Sequence, residues 1–151
     1  MKLSHGASES LEPIPLVNLK IQVAILEEKL TGVIRQVLAD GRFIGGPTVA
    51  NFEEKFAIFS GAAHCVGVGN GTDALFLTLK ALGVSEGDEV ILPSHTFTAT
   101  AEAVRLVGGR PVFAEIDEAT FNIDPEDVAN KITPKTRALL PVHLYGRPAD
   151  I

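Results

Sequence analysis

The chain has 151 residues, of which 46% are hydrophobic and 21% charged, a composition typical of a folded globular core rather than of a disordered protein. Its formal net charge is −6, and the absence of a lysine and arginine cluster argues against nucleic acid or an anionic membrane as a partner. The single cysteine, Cys65, excludes an intrachain disulfide framework. The sequence has no apolar run typical of a signal peptide or a membrane span, so we expect a cytoplasmic protein.

The first part of the chain is predicted to be helical. Residues 1–13 are small and polar and are expected to form a flexible tail. Apolar residues at helical spacing predict a helix from Lys20 to about Ala39. Residues 40–47 contain three glycines and a proline, which predicts a loop. A second helix follows, and it places three aromatic residues on one face: Phe52, Phe56 and Phe59.

After Gly61 predicted strands alternate with predicted helices. The candidate strands are residues 65–69, 89–92, 111–115 and 138–142. Asp124 and Pro125 are typical of a helix start, because they supply a capping carboxylate and a proline at the first helical position. The alternation predicts βαβ units and a largely parallel sheet flanked by helices. Since the sequence stops at Ile151 just after a strand and the helix-start signal Pro148–Asp150, we expect residues 14–151 to be an incomplete domain.

The segment Gly69–Leu75 combines a glycine-rich turn with a helix start. Free backbone N–H groups and the positive end of the helix dipole favour an anion at such a place, and Gly71 and Thr72 would meet it. We expect a positive φ at Gly71 and a close approach of the anion. Asp73 lies in the same turn and would repel an anion unless its carboxylate points away. The alternative is an ordinary turn in which Asn70 or Thr72 caps the helix.

The segment Pro93–Thr100 follows the next strand, at the edge where open α/β sheets bind ligands. Phe97 is positioned to cover a flat ring there. The alternative is that Phe97 packs beneath the helix that it begins.

The sequence does not support a metal site. His5, His64, His95 and His143 have no zinc-ligand spacing, and Cys65 is expected to be a packed thiol in a strand. Ser94 and His95 are sequence neighbours without a nucleophile elbow, so a hydrolytic triad is not indicated.

Six ordered segments together resemble the DegT/DnrJ/EryC1/StrS family of sugar aminotransferases. They are Phe43–Pro47, Asn51–Phe56, Gly69–Leu75, Gly87–Ile91, Pro93–Thr100 and Pro141–Asp150. The resemblance runs from about Ile14 to Ile151. It implies the N-terminal part of the large domain of a fold type I pyridoxal-phosphate-dependent transferase, working as a homodimer.

Roles for individual residues follow from this resemblance. It implies that the backbone of Gly71, Thr72 and Asp73 binds the phosphate of pyridoxal 5′-phosphate and that Phe97 lies on the pyridine ring. It also implies that Phe43, Ile44 and Gly45 belong to the substrate side, on the sugar. The lysine that forms the Schiff base and the aspartate that pairs with the pyridine nitrogen are expected beyond Ile151, so no catalytic residue is assigned and this chain alone is expected to be inactive.

The activity implied by the resemblance is transamination of a nucleotide-linked keto sugar, with glutamate as the expected donor. It belongs to the biosynthesis of amino sugars, polysaccharides or antibiotic sugars. Three alternatives stay open: a sugar dehydratase with the same cofactor, a regulatory or binding homologue without catalysis, and a plain nucleotide-binding α/β domain.

Overall fold

The computed structural model describes residues 14–15 and 17–150. The predicted tail, residues 1–13, lies outside the described residues. The chain divides into two compact units, Met1–Cys65 and Val66–Ile151. Among the described helices, none combines the length and the hydropathy needed to cross a membrane.

The first unit contains two helices joined by a glycine-rich turn. α1 (Leu19–Asp40) ends where Gly41 takes a φ of 63° and donates its N–H to the carbonyl of Val37 at 3.1 Å. α2 (Pro47–Ser60) begins with proline at its first position. Both predicted helices and the turn between them are confirmed.

The apolar surface of these two helices is largely exposed. In the described chain no side chain of α1 is buried, and Ala57 is the buried residue of α2. The predicted aromatic face of α2 is present, since the ring centroids of Phe52 and Phe56 are 5.5 Å apart and those of Phe56 and Phe59 are 6.2 Å apart. Hydrophobic periodicity therefore predicted the helices correctly without predicting burial.

The second unit is an α/β structure. Its elements follow in the order α3 (Gly71–Ala81), β1 (Glu89–Pro93), α4 (Ala99–Leu106), β2 (Arg110–Ala114), α5 (Pro125–Lys131), β3 (Thr136–Leu139) and a 3₁₀ turn (Leu144–Gly146). The three strands are parallel and lie in the order β2–β1–β3. Ile91 in the central strand lies opposite Val112 on one side and Leu139 on the other. The predicted parallel sheet flanked by helices is confirmed.

The central strand β1 is buried along its whole length. Its residues Val90, Ile91 and Leu92 are each 0% exposed. The core cluster joins the sheet to α3 and α4 and consists of Leu79, Val84, Val90, Leu92, Ala103 and Val104. A parallel strand covered on both faces needs a continuous apolar run rather than an alternating pattern, which explains the sequence of β1.

A buried carboxylate joins the amino ends of the three strands. Glu89, the first residue of β1, is 6% exposed. Its Oε1 lies 3.0 Å from the guanidinium of Arg110, at the start of β2. Its Oε2 accepts a hydrogen bond of 2.7 Å from the hydroxyl of Thr133, which precedes β3. Because both oxygens are partnered, the burial of this charge is compensated.

The first predicted strand is wrong. Residues 65–69 form no strand in the described chain, and Val66 and Val68 are 78% and 40% exposed. Cys65 is half-buried in an irregular segment rather than packed in a strand. A strand requires a partner for its backbone groups, and no other described strand pairs with this segment.

Glycine ends one helix of the second unit, and the predicted helix start at Asp124 and Pro125 is confirmed. Gly83 has a φ of 77° after the end of α3 and donates its N–H to the carbonyl of Lys80 at 3.0 Å. Asp124 caps α5, since its carboxylate accepts the N–H of Glu126 at 2.9 Å.

Replacing a leucine of β1 tests how much the core depends on this strand. Leu92→Ala is expected to lower the free energy of unfolding by about 2–5 kcal/mol, because the deleted atoms leave a cavity. Leu106→Ala removes the same atoms from a side chain that is 64% exposed, and it is expected to cost less than about 1 kcal/mol. Urea denaturation followed by circular dichroism measures both, and equal losses would contradict the central position of Leu92.

Candidate functional site

The candidate site lies in the second unit, at the edge where its strands end. α3 leads into β1 through residues 82–88, and its Leu75 and Leu79 pack on the same core cluster as Val90 and Leu92. In a parallel α/β unit the helix that leads into a strand runs antiparallel to it, so we infer that the first turn of α3 lies near the carboxyl end of β1. This is the edge at which open α/β sheets bind their ligands.

Asn70 caps α3, as one of the sequence alternatives predicts. Its Oδ1 accepts the N–H of Asp73 at 2.9 Å, and its carbonyl accepts the N–H of Ala74 at 3.1 Å. Within the described residues, the N–H groups of Gly71 and Thr72 have no hydrogen-bond partner. The first turn therefore presents two free donors at the positive end of an 11-residue helix.

Unlike the N–H groups of Gly71 and Thr72, the N–H of Asp73 is not free. Its N–H is already bonded to Asn70, and its Oδ2 accepts the side-chain amide of Asn70 at 3.0 Å. A Cβ atom at Gly69 would lie 2.8 Å from the same Oδ2, so the carboxylate rests against the preceding turn. Glycine at position 69 leaves room for this arrangement. The carboxylate of Asp73, which could repel an anion, is hydrogen-bonded to Asn70 instead.

Gly71 does not have the positive φ that we expected. The reason is its position: it is the first residue of α3 and has helical backbone. A Cβ atom at Gly71 would meet nothing within 4 Å. The space beside the two free donors is therefore open, and nothing in the described chain requires glycine at this position.

Phe97 lies beyond the carboxyl end of β1 and is 76% exposed. Its carbonyl accepts the N–H of Thr100 at the start of α4, but its ring is not packed beneath that helix. In the described chain it also makes no ring contact with another aromatic side chain. A free aromatic face at this edge is available for a planar ligand.

The predicted sugar-side residues lie in the first unit. Phe43 and Ile44 are 70% and 96% exposed, and Gly45 has a φ of 60°. Gly45 also lines a shallow pocket with Asp40 and Arg42. Their role on the substrate side stays a prediction.

His95 and His143 follow the neighbouring strands β1 and β3. The Nδ1 atom of His143 accepts the N–H of Ala149 at 2.9 Å. The ring of His95 lies 6.2 Å from that of Phe121 and 6.0 Å from that of Tyr145. Across the described residues, no group of three or more histidine, cysteine, aspartate or glutamate side chains is arranged to bind a metal ion.

Sequence reasoning missed Phe121 and Tyr145. Both have a positive φ, 60° and 54° respectively, although neither is glycine. An isolated phenylalanine or tyrosine in a loop carries no local signal of this conformation, so the pattern of residues does not reveal it.

Near this edge, hydrogen bonds lower the pKa values of two carboxylates. The side chain of Thr120 and the backbone N–H groups of Thr120 and Ala119 hold the pKa of Asp117 below its ordinary value, and the charge of Arg147 adds to this effect. The N–H of Glu115 and the ammonium group of Lys131 lower the pKa of Asp127 in the same way.

Comparison with known proteins identifies relatives along nearly the whole chain. Residues 24–151 match the profile described as the DegT/DnrJ/EryC1/StrS aminotransferase family. A UDP-2-acetamido-2-deoxy-3-oxo-D-glucuronate aminotransferase from Pseudomonas aeruginosa is 47% identical over 137 residues, covering 91% of this chain and 38% of that protein. The chain thus spans about 38% of the length of this curated relative.

Solved structures share the fold. DesV of S. venezuelae, in complex with a ketimine intermediate, matches with a TM-score of 0.86 at 47% identity, over 91% of this chain and 37% of that chain. NtdA from Bacillus subtilis, with bound cofactor PMP, matches with a TM-score of 0.87 at 35% identity, over 95% of this chain and 33% of that chain. The fold is therefore that of the fold type I aminotransferases over this part of their length.

The lowered pKa of Asp117 predicts a pH dependence. Because the pKa is depressed in the folded state, the ionised carboxylate stabilises the fold above the unfolded pKa of about 3.9, and this contribution is lost as the pH falls through the lower folded pKa. Asp117→Asn is therefore expected to reduce the loss of stability between about pH 6 and pH 2. Urea unfolding across this range measures it.

Glu118→Gln is the control for that experiment. It removes a charge from the same loop, but the side chain of Glu118 accepts no hydrogen bond among the described residues. Identical acid profiles for Asp117→Asn and the wild type would show that the hydrogen bonds of Asp117 do not stabilise the loop.

Proposed function

The chain belongs to the DegT/DnrJ/EryC1/StrS aminotransferase family, and from this premise we propose that it forms the phosphate- and ring-binding part of a pyridoxal-phosphate-dependent sugar aminotransferase. Residues 14–151 are then part of the large, cofactor-binding domain. We assign no catalytic residue within them. The proposed protein works in the cytoplasm as a homodimer.

The observation that carries the proposal is the pair of free N–H donors on Gly71 and Thr72. An ester phosphate is a dianion with several acceptor oxygens, and the first turn of a helix supplies both donors and a positive dipole end. Asn70 uses the N–H of Asp73 and holds the side chain of Asp73, which leaves two donors for the ligand. The open space at Gly71 admits a phosphate group.

The other residues of the site orient the cofactor. The hydroxyl of Thr72 is a further donor to the phosphate, and the exposed face of Phe97 covers the pyridine ring. When bound, pyridoxal phosphate supplies the electron-accepting ring on which an amino group is exchanged. The residues of this chain hold that ring in place, and they exclude water from the face that Phe97 covers.

The substrates follow from the relatives. The Pseudomonas aeruginosa relative is named for a nucleotide-linked keto sugar, and we extend this class of substrate to the present chain. Glutamate is the proposed amino donor. Phe43, Ile44 and Gly45 are proposed to lie on the sugar side.

Replacing Thr72 tests the phosphate contact. Pyridoxine 5′-phosphate is a suitable probe, because it has the ring and the phosphate but no aldehyde that reacts with lysine. Thr72→Ala is expected to weaken its binding by about 1.5–3 kcal/mol, the contribution of one hydrogen bond to a charged group. Thr78→Ala, an exposed position of the same helix, is the control and is expected to bind like the wild type in equilibrium dialysis.

Replacing Gly71 tests the space beside the donors. Gly71→Val is expected to weaken the binding of pyridoxine 5′-phosphate by at least about tenfold, because the branched side chain occupies the position of the phosphate. It is not expected to disturb the fold, since a Cβ atom there meets nothing within 4 Å. Unchanged affinity in a variant with a normal melting temperature would place the phosphate elsewhere.

Replacing Phe97 tests the contact with the ring separately from the contact with the phosphate. Phe97→Ala is expected to weaken binding of pyridoxine 5′-phosphate by about 0.5–1.5 kcal/mol beyond the loss of buried area, while binding of inorganic phosphate stays unchanged. Phe97→Tyr keeps an aromatic face and is expected to bind like the wild type. Equal effects of Phe97→Ala on both ligands would refute the stacking role.

A further inference from the structure

A cavity lies at the amino ends of the strands, on the side of the sheet opposite the candidate site. Its volume is about 690 Å³, within the range of about 300–1,000 Å³ that is usual for small-molecule sites. β1 has five residues, and at about 3.3 Å per residue its two ends lie roughly 13 Å apart. The cavity is therefore separate from the contacts at Gly71, Thr72 and Phe97.

Three basic residues line this cavity from separate parts of the chain. Arg105 is in the last turn of α4, Arg110 begins β2, and Lys135 directly precedes β3. They do not form a basic run in the sequence, and the parallel pairing of the strands brings them to one place. The chain as a whole has a net charge of −6, so this group of cations differs in sign from the protein around it.

Two acidic residues, Glu86 and Glu89, also line the cavity and compensate part of its charge. Glu89 is 6% exposed and is already paired with Arg110 at 3.0 Å. This pair leaves Arg105 and Lys135 with Glu86, which is two positive charges with one negative charge. In the part of the chain that the structure describes, neither Arg105 nor Lys135 forms an ion pair. The excess of positive charge favours an anionic ligand.

The backbone around the cavity is fixed on the side of Glu86. Glu86 and Gly87 are the central residues of a turn that is closed by a hydrogen bond of 3.2 Å from the N–H of Asp88 to the carbonyl of Ser85. Gly87 supplies the φ of 93° that this turn requires. A Cβ atom at Gly108 would lie 3.4 Å from the backbone nitrogen of Glu86, so the turn packs directly against the segment that ends α4.

Hydrogen bonds to the amino end of β1 fix the backbone that carries two of the cations. The N–H of Glu89 donates to the carbonyl of Lys135 at 2.8 Å, and the N–H of Arg110 donates to the carbonyl of Asp88 at 2.9 Å. The residues Arg105 and Lys135 are exposed, so a ligand reaches them without displacing other parts of the protein. A site whose backbone is arranged beforehand loses less entropy on binding.

We propose that this cavity binds a compact oxyanion, a phosphate or carboxylate group of a small metabolite, between Arg105 and Lys135. Guanidinium and ammonium groups bind both kinds of anion through charge-assisted hydrogen bonds. Arg110 contributes less, because the buried carboxylate of Glu89 already binds its guanidinium. The inference goes beyond the proposed function and does not depend on it, since the cavity lies at the other end of the strands from the proposed cofactor contacts.

Heteronuclear NMR of the 151-residue chain tests the proposal, because glycine amides report on both places. Gly87 and Gly108 line the cavity, and Gly71 begins α3. Inorganic phosphate and succinate are titrated separately at constant ionic strength, with chloride as the reference anion. We expect saturable shifts of the Gly87 and Gly108 signals with phosphate or succinate and none with chloride. Saturation by only one of the two identifies the group that the cavity binds.

Variants distinguish a defined site from general attraction of anions to basic residues. Arg105→Gln and Lys135→Gln are each expected to weaken binding in the cavity by about threefold or more. Glu86→Gln is expected to strengthen it by a similar factor, because it removes the opposing charge. Lys29→Gln removes one positive charge from α1 and is the matched control, with affinity expected to stay that of the wild type. All four residues are exposed, so the fold is expected to be unchanged.

Two results would overturn the inference. They are the absence of saturable shifts at Gly87 and Gly108 with either anion, and equal affinities of Arg105→Gln and Lys29→Gln. Phosphate binding at α3 is judged separately, by the Gly71 signal and by the effect of Gly71→Val. Loss of the response at the cavity while the Gly71 signal still shifts with phosphate refutes the anion cavity alone.

Discussion

Parallel pairing of β1 with a neighbour on each side is the constraint on which the second unit depends. Every residue of this strand is buried, so its register fixes the positions of β2 and β3 directly. Glu89 strengthens that register at the amino ends, because its carboxylate is bonded to Arg110 and Thr133 at the same time. Because the three strands are parallel, the segments that follow them emerge along one edge of the sheet.

At the carboxyl edge of the sheet, the groups available to a ligand are backbone N–H groups and ring faces more than charged side chains. At α3, the side chain of Asn70 takes the N–H of Asp73 and leaves those of Gly71 and Thr72 for a ligand. In the loop after β2, Asp117 binds the surrounding N–H groups and holds Phe121 in position. In both places a short polar side chain next to the site sets the backbone, while the atoms offered to a ligand are N–H groups or ring faces. Such groups keep their ligand-binding capacity at any ordinary pH, since they do not titrate.

The sequence predicted most of this architecture, and its failures have physical causes. α1 and α2 follow from periodicity, and the starts of α3 and α5 follow from Asn70 and Asp124, because these signals are local. The strand at residues 65–69 failed, since strand formation depends on a partner that the local sequence does not specify. Gly71 was placed correctly at a helix start but given the wrong φ, because a glycine adopts negative φ values as readily as positive ones. The proximity of the His95, Phe121 and Tyr145 rings was not predicted, because it depends on the tertiary structure that brings three separate segments together.

The strand order β2–β1–β3 has a consequence for biosynthesis. The ribosome makes the central strand before either of its neighbours, so the apolar run of β1 emerges with both hydrogen-bonding edges unpaired. At ordinary elongation rates it waits roughly several seconds for β3. During that time a nascent chain on the same polysome offers an identical strand as a competing partner. A sheet assembled from the inside outwards therefore leaves β1 unpaired until translation has delivered both of its neighbours.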